Sequence, residues 1–62
     1  MTAKDFRFIA AILNQEIATA DAMYEEHGAE ALRALSHTFA DRLATTNPRF
    51  DRERFLSACE PS

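Results

Sequence analysis

Sixty-two residues with a formal charge of −3, nearly half of them apolar, with five Phe, one Gly and two Pro, describe one small domain (1–62) rich in helix formers. That apolar content excludes a disordered chain, and the longest uninterrupted apolar run, Phe8–Leu13, is too short for a membrane span. The single cysteine, Cys59, excludes an internal disulfide and has no zinc-ligand spacing around it.

Thr2 followed by Asp5 is a variant of the capping box, with Asp in place of Glu or Gln, and starts a helix at Ala3. Helical periodicity puts Phe6, Ile9, Ala10, Leu13, Ile17 and Ala20 on one stripe. Phe8 and Ile12 form a second stripe rotated away from it, so more than half of this helix's circumference is apolar. The polar residues Asp5, Arg7, Asn14, Gln15 and Glu16 interrupt any signal-peptide core, so a cytoplasmic protein is expected.

The apolar pattern thins at Ala18–Asp21, where Thr19 or Asp21 can cap a new helix. The expected boundaries are therefore 3–18 and 21–46. Tyr24, Leu32, Leu35, Phe39 and Leu43 follow one helical stripe, and Gly28 falls on it. Gly28 either ends a short segment or sits inside one helix at a cost of about 1 kcal/mol relative to Ala, where it would let the first helix approach closely. Glu30 and Arg33 are spaced for a surface pair.

Thr45-Thr46-Asn47-Pro48 stops the second helix, because Pro48 cannot continue it and biases Asn47 away from the α region. Asp51 caps a third helix over 52–59, and Phe50 and Phe55 occupy the positions of a hydrophobic staple. The chain reads as all-α: an antiparallel helical hairpin with the short C-terminal helix folded back. Phe50, Phe55 and Leu56 would then cover Phe8 and Ile12; the rival is that a second copy of the chain covers them.

The tail from Asn47 to Cys59, NPRFDRERFLSAC, resembles the C-terminal signature of small helical proteins of actinobacterial phages and prophages. The opening Met1-Thr2-Ala3-Lys4-Asp5-Phe6 with Ile9-Ala10-Ala11-Ile12 is similar to that family's start. The resemblance spans about half of the chain and leaves the acidic middle unmatched. It implies a small helical fold inside an infected or lysogenic bacterial host, and brings no activity to any residue.

No group of residues builds a catalytic site. Ser36 and His37 are neighbours about 100° apart on a helix, so they cannot act together, and His37 with Asp41 reads as a surface pair. Asp21 with Glu25 and Glu26 with Glu30 stand one turn apart, but lack the Glu-x-x-His pairs of helical metal sites. The chain therefore reads as a non-enzyme with neither cofactor nor metal.

Charge is uneven. Glu16, Asp21, Glu25, Glu26 and Glu30 occur with no Lys or Arg between them, whereas Arg33, Arg42, Arg49, Arg52 and Arg54 follow. Such asymmetry can guide docking, although a solvated helix face is its commoner meaning. A domain this small buries only about 60% of its unfolded surface, which favours a partner. The leading expectation is a protein–protein interaction module acting on a host or phage protein through Phe8 and Ile12 or through Asp21, Glu25 and Glu26. One alternative is a nucleic-acid-binding regulator using Arg49, Arg52 and Arg54, disfavoured because Asp51, Glu53 and the acidic total oppose phosphate binding. The other is a homodimeric structural protein.

Overall fold

The computed structural model describes residues 2–61. They form three helices: α1 (Ala3–Ala22), α2 (Glu26–Thr46) and α3 (Arg52–Cys59). As the spacing of Thr2 and Asp5 requires, the Thr2 backbone N–H donates to Asp5 Oδ2 at 2.9 Å and the Thr2 hydroxyl donates to it at 3.2 Å. Chiefly through the backbone bond, this holds the Asp5 carboxyl below the usual aspartate range.

The break between the first two helices falls later than the spacing places it. α1 runs through Ala22, beyond the expected end at 18, and α2 begins at Glu26 rather than 21. Thr19 caps nothing, because its hydroxyl donates to the Gln15 carbonyl one turn back at 2.9 Å. Asp21 is taken by Arg33 at 3.2 Å. The chain reverses instead at Met23-Tyr24-Glu25. The Tyr24 N–H donates to the Asp21 carbonyl and the Glu25 N–H to the Ala20 carbonyl, at 3.1 and 2.8 Å, which is a Schellman closure. That closure needs a left-handed residue, and Tyr24 supplies it with φ of 56°. Tyr24 thus lies in the turn and not on the α2 stripe.

Gly28 sits in the first turn of α2. A Cβ built there would meet only the Glu25 Cβ, at an ordinary 3.6 Å, so close approach of α1 is not the reason for the glycine.

The inner line of α2 does not run through Leu35 and Phe39, as periodicity suggests. Its buried residues are Ala29, Ser36 and Ala40, while Leu35 and Phe39 stand 44% and 36% exposed. Small side chains on that line let two helices press on α2 together. The core joins Ala10 and Leu13 of α1, Ala40 of α2, and Phe55 and Cys59 of α3, flanked by Phe6, Leu43 and Phe50.

At the tail, Asn47 is extended (φ −136°, ψ 101°), the backbone a residue before proline prefers. The Phe50 N–H donates to the Asn47 carbonyl at 3.0 Å, closing a turn with Pro48 in its second position. Asp51 Oδ1 then accepts the Arg54 N–H at 3.0 Å and starts α3. The staple forms, with Phe50 and Phe55 rings 5.4 Å apart, and extends to α1, where Phe6 meets Phe50 edge-on at 4.8 Å.

Helix α3 lies on a different side of α1 from the one expected. It packs on the Phe6, Ala10 and Asn14 side of α1, and Asn14 Nδ2 donates to the Ala58 carbonyl at 3.1 Å. It does not cover Phe8 and Ile12, which remain 67% and 47% exposed. Arg33 joins all three segments, reaching Glu60 at 2.8 Å and Asp21 at 3.2 Å rather than Glu30. Among the described residues, no helix is long and apolar enough to cross a membrane.

Candidate protein interface

Two surfaces stand out, on opposite sides of the hairpin. Relative to the buried line of α2, Arg33, His37 and Asp41 lie on the side that meets α3: Arg33 binds Glu60, and Arg52 Nε binds Asp41 Oδ1 at 2.9 Å. Leu35 and Phe39 project about 100° to the other side. On α1 the same geometry sets Asn14 toward α3 and Ile12 away from it, with Phe8 at the outer margin. The hairpin therefore carries an open apolar face of Ile12, Leu35 and Phe39 edged by Phe8. Thr38 and Arg42 border Leu35 and Phe39 on its α2 side.

The second surface is a cleft between α1 and α3 of about 450 Å³. Phe6, Ala10, Phe55 and Ala58 form its floor; Arg7, Arg49 and Arg54 rise around it. None of these three guanidiniums is in an ion pair among the described residues. The carboxylate at the rim, Asp51, caps α3.

This arrangement divides the arginine group read from the sequence. Arg49 and Arg54 share the cleft, but Arg52 turns to α2, where it binds Asp41 and lies 3.4 Å from His37 Nδ1. Arg7 takes its place. It stands 42 positions before Arg49 in the chain, so no local spacing signals it. Leu35 and Phe39 were legible as apolar residues at helical spacing, yet nothing in periodicity says they face outward.

The acidic candidates do not form one site. Asp21 is paired with Arg33, whereas Glu25 and Glu26 are exposed beside the turn, next to Met23 at 65% and Tyr24 at 91% exposure. Cys59, 1% exposed, lies against Ser36, and burial pushes its thiol above the ordinary cysteine value. A thiol so placed is a core residue with little nucleophilic character. No protein-family model, curated protein or solved structure matches the chain.

Proposed function

We propose that this chain is a protein–protein interaction module whose binding surface is the open apolar face. The observation that carries this reading is the amount of large apolar surface left unburied: Phe8, Ile12, Leu35 and Phe39 are all 36% exposed or more. The accessible area is 4728 Å², against roughly 4,000 Å² for a compact monomer of this mass.

The occupant is an amphipathic helix of another protein. Ile12 and Phe8 on one helix, with Leu35 and Phe39 on the other, provide two one-turn-spaced rows. Apolar side chains repeating at i, i+3 and i+4 would lie between such rows. The likeness of the tail to small phage proteins supports a host or phage protein inside an infected bacterium as the source of that helix.

The test compares wild type with Ile12→Glu/Leu35→Glu as bait in lysates of infected cells. Both changes are at half-exposed helical positions and use a good helix former, so the fold is expected to persist by circular dichroism. A protein retained by wild type and lost by the variant is the expected result. Identical capture by the two baits would remove this face from the function.

A further inference from the structure

The arginine-rimmed cleft has a matching object on the same molecule. We infer that the α1–α2 turn of a second copy docks into the cleft between α1 and α3, forming an antiparallel dimer. Three observations carry this, and none depends on the open apolar face.

First, the turn presents two large side chains, Met23 and Tyr24, mostly to solvent. Tyr24 is 91% exposed and holds a left-handed backbone that glycine would adopt without strain. Met23 beside it is 65% exposed. An exposed aromatic at a backbone position that glycine fits without strain points to use of its side chain. Glu26 is accounted for by the dipole of α2, but Tyr24 and Met23 have no such account.

Second, the two surfaces are complementary. The cleft has an apolar floor at Phe6 and Phe55, a volume of about 450 Å³, and a rim of three arginines against one carboxylate, Asp51, which is engaged in capping α3. Tyr24 and Met23 supply apolar bodies, and Glu25 and Glu26 supply carboxylates free of ion pairs among the described residues. Tyrosine over a guanidinium adds a cation–π contact, and carboxylates accept from guanidinium in paired hydrogen bonds. The net negative charge of the chain disfavours a nucleic-acid backbone in the same cleft.

Third, the surfaces occupy opposite ends of a body 36 Å long. The cleft is lined by the beginnings of α1 and α3, and the turn lies at the far end of α1. Two copies side by side and antiparallel bring each turn to the other's cleft. The contact is then made twice and the assembly closes on a two-fold axis. The acidic end of each copy lies against the basic end of its neighbour.

Sedimentation velocity of the full chain over a concentration series, at low and high salt, tests this. The expected result is a monomer–dimer equilibrium that shifts to monomer in high salt. Tyr24→Gly and Arg49→Ala/Arg54→Ala should each raise the dissociation constant tenfold or more, while Tyr24→Gly melts no lower than wild type at concentrations where both are monomeric. Ile12→Glu/Leu35→Glu should leave the dimer intact, which separates this contact from the proposed partner face. A monomer at every concentration, a dimer indifferent to Tyr24→Gly, or species growing beyond dimer would each overturn the inference. So would a dimer broken by Ile12→Glu/Leu35→Glu alone, which would assign self-pairing to the open face.

Discussion

Tyr24 shows how one residue fixes a boundary that periodicity places elsewhere. Its left-handed φ of 56° lets the last carbonyls of α1 close on the turn. For a residue with a Cβ that conformation costs about 1–2 kcal/mol, part of which glycine would regain. Tyr24→Gly should therefore stabilise the monomer by about 1 kcal/mol, raising Tm by roughly 5 °C for a domain of this size. Differential scanning calorimetry on dilute protein reads the shift; a lower Tm would mean the tyrosine side chain contributes more than its backbone costs. The turn was illegible because sequence reading looks for Gly or Asn at such a position, and here an aromatic holds it. Asp5 makes the opposite case, a residue whose role follows from its spacing. Its carboxyl binds a proton less readily folded than unfolded, since protonation weakens the bond from the Thr2 backbone. The cap's stabilisation is thus complete above the unfolded aspartate value, about 3.9, and is lost as pH falls through the lower folded value. NMR titration of the Asp5 carboxyl should give a midpoint below that of an unfolded peptide, and Asp5→Ala should flatten this acid-side loss.

Among the elements, α3 was the most legible because its instructions are local. The stop at Asn47-Pro48, the cap at Asp51 and the staple of Phe50 and Phe55 lie within nine residues, and all three form. Its docking side was not legible, since that is decided by what α1 and α2 leave open. Ala40 and Ser36 of the small line meet Phe55 and Cys59, and such residues carry too weak a hydropathy signal to outrank Leu35 and Phe39 in a periodicity count. An element of eight residues is too short to be helical alone, so its helicity depends on docking. Phe55, 5% exposed, is the main anchor. Phe55→Ala should cost roughly 3–5 kcal/mol, a large share of the total stability of so small a domain. The buried Cys59 thiol, on the same helix, reports the outcome directly. In wild type its labelling by a thiol reagent should be slow, limited by opening of α3. In Phe55→Ala it should approach the rate of the urea-unfolded chain; slow labelling in that variant would show that α3 stays docked without its anchor.

At the scale of the whole molecule, the core is one-sided. Three helices converge on Ala10, Leu13, Ala40, Phe55 and Cys59, yet of the five phenylalanines Phe8 is mostly in solvent and Phe39 partly so. The radius of gyration, 11.6 Å, exceeds the roughly 10.6 Å of a compact chain of this length, as an elongated body with an uncovered flank should show. The second stripe of Phe8 and Ile12 was legible as surplus apolar surface on α1. Its extension onto α2 was not, because it depends on which side of the hairpin α3 takes. Phe8, at 67% exposure, has little packing to lose. Phe8→Ala should change stability by no more than about 0.5 kcal/mol in urea denaturation, in contrast to the severe loss at Phe55. If the flank is a binding surface, an environment-sensitive apolar dye should bind the native chain there, and Phe8→Ala combined with Ile12→Glu/Leu35→Glu should reduce that signal while the melting transition stays cooperative. A cost at Phe8 comparable to that at Phe55 would instead show that solution places Phe8 in contact, and the one-sided core would have to be redrawn.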